Sequence, residues 1–266
     1  MGSITIKTEK EIEIMKKGGR ILGEILGELK KKVKPGVSTL ELNDFAEKLL
    51  FSKKVESAFK GYKGYPSSLC TSVNNVVVHG IPNSETILKS GDLISLDFGL
   101  KHQGLYVDAA ISCRVGKISE TAKKMIKVTK GALDLAISKV KAGVHLGDIG
   151  AAIENYVSKK GFFVVKEFCG HGIGKELHEE PQILNFGRRG EGIILKPGMT
   201  LCFEPMVNEK SSATKILSNG WTAVTKDGGL AAHFEHTILV TKKGCEVLTK
   251  LPISTNRTNI SKLVRN

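Results

Sequence analysis

The chain lacks any run of about 18 apolar residues, the length a helix needs to cross a bilayer, so no membrane-spanning helix is expected. Its opening, Met1-Gly2-Ser3-Ile4-Thr5-Ile6-Lys7, contains no apolar signal core. Export is therefore not expected, and a cytoplasmic location is. A myristoylation signal is also missing, because Ile6 stands where serine or threonine is required. Cysteine is sparse. Cys70, Cys113, Cys169, Cys202 and Cys245 are odd in number, widely spaced and never arranged as Cys-x-x-Cys. Such a set reads as reduced cytosolic thiols and excludes a disulfide scaffold. No long linker and no low-complexity segment interrupts the chain.

What is present is an ordinary globular composition: 266 residues, 41% apolar and 25% charged. The length suits one large domain or two small ones. A chain of this size buries about three quarters of its unfolded surface, so it needs neither disulfide nor metal to fold. Lys+Arg number 40 against 27 Asp+Glu, a net charge of +13. That excess is compatible with ribosome or nucleic-acid contact. Lysines outnumber arginines and are dispersed, however, and only Lys30-Lys31-Lys32 with Lys34 forms a tight cluster, at a helix end where cations suit the dipole. A solvated surface is the plainer reading. Ribosome contact through basic patches stays open as a partner, with no membrane, no sequence-specific nucleic acid and a monomeric state expected.

Four helices are legible. Thr8 to Glu11 is a capping box, followed by Leu22, Ile25, Leu26 and Leu29 at helical spacing up to Pro35-Gly36. Ser38 to Glu41 is a second box, opening a helix to about Lys53. Ser119 caps a third, to about Lys141, and a fourth runs from about Leu146 to Lys159. Asp92–Leu100 and Leu105–Val115 read as a hairpin, and Met199–Met206 and His233–Thr241 as a further strand pair. The polar, basic tail, residues 252–266, is expected to fray.

An internal repeat runs through these elements. At an offset of 107, Lys34-x-Gly36-Val37 maps onto Lys141-x-Gly143-Val144, Glu47 onto Glu154, Lys89-x-Gly91 onto Lys196-x-Gly198, and Asp97 onto Glu204. One offset across four segments indicates a duplicated α+β half. The expected fold is thus α+β, with pseudo-two-fold halves of about 1–115 and 116–251 forming a single domain, 1–251, and a site between them.

The carboxylates give that site its chemistry. If Leu100 pairs with Leu105, Asp97 lies directly opposite Asp108 on one face of the hairpin. Their neighbours Leu93, Ser95, Val107, Ala109 and Ala110 indicate a buried setting, where two carboxylates share a proton or bind a cation. Glu204, the repeat partner of Asp97, and Glu235 are expected in strands of the second half. Four converging carboxylates demand cations, and two divalent ions fit best. Cys169-Gly170-His171-Gly172 presents one imidazole as a nitrogen ligand, His178 follows in His-Glu-Glu-Pro, and His79 opens a second His-Gly-Ile. His102, His145 and His236 read as structural. This mixed oxygen and nitrogen set suits manganese, iron, cobalt or zinc better than calcium or a thiolate site.

In that order, His79-Gly-Ile-Pro, Gly91-Asp92 leading to Asp97, Asp108, Cys169-Gly-His171-Gly-Ile-Gly, His178-Glu-Glu-Pro, Glu204-Pro-Met and Glu235-His-Thr resemble type 1 methionine aminopeptidases of the short bacterial or organellar kind, over about residues 5 to 250. The resemblance implies the duplicated pita-bread fold, a curved and mostly antiparallel sheet with helices on its outer face, and removal of initiator methionine from nascent polypeptide N-termini. It implies that Asp97, Asp108, His171, Glu204 and Glu235 hold two metal ions, with Asp108 and Glu235 bridging. Glu204 would relay the proton of the attacking water, His178 would bond the scissile carbonyl, and His79 would contact the scissile amide or leaving amine. Tyr62, Tyr65, Cys70 and Trp221 match positions around the methionine side chain.

Three departures stand out. Gly99 replaces a common threonine near the second metal, Leu177 a common aromatic, and Phe59 a common cysteine beside the pocket. Two rival readings are a proline-specific exopeptidase, which carries a large extra N-terminal domain where only 78 residues precede His79 here, and a non-catalytic ribosome- or RNA-binding member of the fold.

Overall fold

The computed structural model describes residues 4–252. Apart from Pro252, the basic tail therefore lies outside the described residues. The four helices form where their caps predict: α1 Glu9–Lys32, α2 Thr39–Lys53, α3 Glu120–Lys139 and α4 Leu146–Ser158. Thr8 and Ser38 close reciprocal capping boxes with Glu11 and Glu41, and the Ser119 hydroxyl accepts from the Ala122 amide. Among the described residues no helix is long and apolar enough to cross a membrane.

The repeat is structural. Helices α1 and α3 end at equivalent residues, and the turns after them close in the same way. Gly36 N–H donates to Leu88 O at 2.8 Å, and Gly143 N–H to Leu195 O at 2.9 Å. The isolated bridge between Ser38 and Ile87 recurs between His145 and Ile194, each residue displaced by the same offset. All strand pairings among the described residues are antiparallel. In the first half, strand Leu93–His102 pairs with Leu105–Arg114 on one side and with Cys70–Val73 on the other. The second half centres on Thr200–Phe203, flanked by His236–Val240 and Gly170–Gly172.

The hairpin differs from the sequence expectation. Its loop has two residues, Gln103 (φ 48°) and Gly104 (φ 84°), and His102 pairs with Leu105. Two successive positive φ values match the twist of the flanking strands, so the ladder continues two residues further than turn composition suggests. Asp97 then faces Ala110, and Asp108 faces Gly99. The two aspartates are diagonal rather than directly opposite, yet they still share a face, because side chains alternate along a strand. The opposite face carries Leu100, His102 and Val107, which pack on α1 at Gly18. One face thus takes up the helices and the other is left to the carboxylates.

Glu204 and Glu235 also depart from expectation, since neither lies inside a strand. Glu204 occupies the break between Thr200–Phe203 and Met206–Asn208, and Glu235 the break between Ala231–His233 and His236–Val240. At each break the chain leaves one sheet and enters another. Pro205, which cannot donate to a ladder, accounts for the first break.

Candidate active site

The two halves are stitched together beside the carboxylates. Ala110 and Glu235 exchange backbone hydrogen bonds, with N–H to O distances of 2.9 Å from Glu235 and 3.3 Å from Ala110. Two positions along, the Ser112 hydroxyl accepts from His233 N–H and donates to His233 O, both at 2.9 Å. In the other direction the Thr237 hydroxyl accepts from Asp108 N–H at 2.9 Å and donates to Asp108 O at 2.8 Å. This continuous seam fixes Asp108 of one half against Glu235 of the other.

Ligand atoms of Asp97, Asp108 and Glu235 all lie within 4.8 Å of one another, and so do those of His171, Cys202 and Glu235. Glu204 Oε1 lies 3.7 Å from His171 Nε2. Asp97, Asp108, His171 and Glu235 are buried, and Glu204 is largely so. Burial first, then mutual repulsion, pushes the carboxyls of Asp97, Glu204 and Glu235 well above the carboxylate range. Burial raises Asp108 to about 7. His171 Nδ1 donates to Gly172 O at 2.8 Å, which leaves its Nε2 lone pair free and directed at the cluster. Burial lowers its pKa to about 4, so the ring is a neutral donor at physiological pH.

This arrangement fits divalent cations. Asp97 Oδ1, Asp108 Oδ1 and Glu235 Oε1 are buried without a hydrogen-bond partner, a costly state for any polar atom and more so for charged ones. A cation removes both the missing contacts and the repulsion. Hard oxygens with one imidazole suit manganese, iron, cobalt or zinc. Cys202 shares the second cluster, but burial first and Glu235 next hold its thiol protonated, and its Sγ lies 3.5 Å from Thr237 Oγ1.

Above the cluster a cavity of about 210 Å³ is lined by Asp97, Asp108, His171 and Glu204, by His79 and His178, and by Tyr62, Tyr65, Cys70 and Trp221. Ten of the eleven residues singled out from the sequence thus meet there, and Glu235 completes the set beside Asp97 and Asp108. Tyr62 Oη lies 2.8 Å from His178 Nδ1, and the His178 ring is 4.3 Å from that of His171. Tyr65 is buried and donates to Gly80 O at 3.1 Å. Trp221 meets Tyr65 and His79 edge-on, at 5.1 and 6.0 Å between ring centres. His79 has a φ of 59°, a left-handed conformation that a histidine rarely adopts and that recurs at functional sites. Desolvation lowers His79, and desolvation followed by neighbouring positive groups lowers His178 to about 3, so both rings are neutral.

Phe59, Leu177 and Lys63 also line the cavity. His102, His145 and His236 stay out of it: His102 closes the hairpin, His145 caps α4, and His236 Nδ1 lies 3.0 Å from Thr249 Oγ1. Sequence reasoning missed His233. This residue is fully buried, with Nε2 3.5 Å from Glu204 Oε2, so Glu204 is flanked by two imidazoles. Its place two residues before Glu235 was the available signal.

The family model for metallopeptidase family M24 matches residues 13–242. The chain is 47% identical over 246 residues to a methionine aminopeptidase of Clostridium perfringens, covering 92% of this chain and 98% of the relative. It is 46% identical over 248 residues to methionine aminopeptidase 1 of Bacillus subtilis, covering 93% and 100%. The crystal structure of a methionine aminopeptidase from Thermotoga maritima superposes with a TM-score of 0.92 at 46% identity, covering 93% of this chain and all of that one. A Xaa-Pro dipeptidase from Bacillus anthracis gives 0.73 at 26% identity and is covered over only 62% of its length. With these identities spanning nearly the whole of both chains, this protein belongs to the methionine aminopeptidases of metallopeptidase family M24.

Proposed function

We propose that this chain removes the N-terminal methionine of nascent polypeptides, and of peptides with a small second residue, by hydrolysis assisted by two divalent ions. The observation that carries the reading is the cluster of four carboxylates and His171, drawn from both halves and opening on a cavity faced by His79 and His178. Asp97, Asp108, His171, Glu204 and Glu235 would hold the ions. Glu235 belongs to both ligand clusters and, with Asp108, would be shared between the two ions. Such ions acidify water and polarise a carbonyl.

The remaining steps fall to the chain's own groups. Glu204, a carboxylate once the ions offset the repulsion around it, would take the proton of the attacking water and pass it to the leaving amine. With the Tyr62 hydroxyl donating to His178 Nδ1, the ring would carry its proton on Nε2 and bond the carbonyl oxygen as charge develops on it. His79 contacts the scissile amide. Tyr62, Tyr65, Cys70 and Trp221 enclose the methionine side chain, and their apolar surface favours it over charged ones. Because both halves supply ligands, residues 1–251 act as one catalytic domain with halves at about 1–115 and 116–251. The reading puts the protein in the cytoplasm as a monomer, with its +13 charge available for contact with the ribosome surface where substrates emerge.

A comparison of Met-Ala-Ser with Xaa-Pro peptides tests the proposal. Methionine release with no cleavage of Xaa-Pro peptides whose first residue is not methionine supports it, and the reverse preference would move the chain to the proline-specific branch.

A further inference from the structure

The turn that carries His178 is tied to the N-terminal segment by a buried ion pair. Lys7 Nζ lies 2.6 Å from Glu179 Oε2, and their side chains are only 3% and 9% exposed. Thr5 Oγ1 donates to the same oxygen at 2.5 Å. The other oxygen, Oε1, accepts the backbone N–H groups of Lys175 at 2.7 Å and Glu176 at 3.2 Å. Glu179 thus holds the turn from Gly174 to His178 with one oxygen and the N-terminal segment with the other. Burial alone would raise its carboxyl, and the donors from Lys7 and Thr5 outweigh burial and hold it below the ordinary value.

The surroundings are shaped for this contact. A Cβ on Gly174 would fall 2.2 Å from Lys7 Cε and 2.8 Å from Glu179 Oε1, so a side chain there would displace the lysine from this position. Lys7 N–H donates to Gly198 O at 2.9 Å, which anchors the segment before α1 begins. From the other side Tyr106 N–H donates to Gly174 O at 2.8 Å. A lysine hidden from water at the start of a chain is costly unless its charge is met, and here it meets the residue next to His178.

We infer that Lys7 is a positioning residue for His178: with Thr5 it completes the bonds of Glu179, and Glu179 sets the path of the turn that aims the His178 ring into the cavity. The inference rests on the reading that His178 acts on the substrate. It makes the segment ahead of α1 part of the catalytic apparatus, although no atom of Lys7 reaches the cavity.

The test is a double-mutant cycle on the metal-loaded full chain with Met-Ala-Ser. Lys7→Met is expected to lower kcat by about 10-fold or more, since small misplacements of a catalytic group carry large costs. KM and metal content should be unchanged, and Lys7→Arg should restore most of the rate. In a His178→Ala background, Lys7→Met should change kcat by less than about 2-fold, because the two act as a unit. Native kcat in Lys7→Met, or the same fold loss in both backgrounds, overturns the inference. Should Lys7→Met fail to fold, Glu179→Gln carries the same cycle. If His178→Ala itself retains native kcat, the role of His178 fails separately. The imidazole NMR resonances of His178 then decide: a shift in Lys7→Met with those of His145 fixed supports the positioning, and no shift overturns it.

Discussion

Replacing Gly99 with alanine would place a Cβ 2.8 Å from Phe59 Cε1, 2.9 Å from Ala58 Cβ and 3.3 Å from Asp108 Oδ1. Phe59 therefore occupies the space that a side chain at position 99 would need, and two of the departures noted in the sequence are a single feature. Two effects oppose each other. Alanine in a strand normally gains about 0.5–1 kcal/mol over glycine through chain entropy. Overpacking a filled site costs about 1–3 kcal/mol. Ala58 N–H donates to Gly99 O at 3.0 Å, so that backbone cannot retreat and the Phe59 ring must move towards the cavity. The cost wins, and Gly99→Ala is expected to destabilise by about 0.5–2 kcal/mol. A ring pushed into the cavity also raises KM for a methionyl peptide. In a Phe59→Ala background the penalty should shrink, giving a coupling energy of about 1 kcal/mol or more. Urea unfolding of the four proteins at equal metal content measures it. A Gly99→Ala protein as stable as the parent, or a coupling below about 0.5 kcal/mol, would refute the reasoning.

Further outcomes follow from the site. Asp108→Ala should abolish cleavage and weaken metal binding, with a loss above the roughly 100-fold typical of an outer-shell partner, checked by kinetics and metal analysis. His178→Ala should lower kcat by about 100-fold or more with metal retained, as removal of an oxyanion donor does; loss of metal would instead make it a ligand. Metal removal should make stability depend on pH. The four carboxyls lie above their ordinary values in the metal-free fold, Asp108 at about 7, and near about 4 in the unfolded chain. Raised groups give stability that is complete below the unfolded value and is lost as pH rises through the folded one. The Tm of stripped protein should therefore fall between pH 6 and pH 8 and the fall should vanish with metal, whereas a flat or rising Tm contradicts the assignment.

Helix starts were legible because capping is local chemistry: Thr8, Ser38 and Ser119 each act within three residues. The duplication was legible because both halves close the same turns with the same Gly36 and Gly143 positions. The hairpin register is not legible, because a two-residue turn with Gln103 in a left-handed conformation lacks the usual Asn-Gly signal. Sequence periodicity does not show where a chain passes from one sheet to another, so the breaks at Glu204 and Glu235 are not legible in it. The roles of His233 and Lys7 are not legible in the sequence, for a common reason. Their partners lie far along the chain, and only folding brings a buried histidine to Glu204 or an N-terminal lysine to the His178 turn.

The most direct measurement is methionine release from Met-Ala-Ser by chelator-stripped protein titrated with manganese, cobalt or iron. The account predicts no release without metal and a rise in activity that saturates at about two ions per chain. Release that is undiminished after complete stripping, or no release with any ion by folded protein, would contradict the central claim.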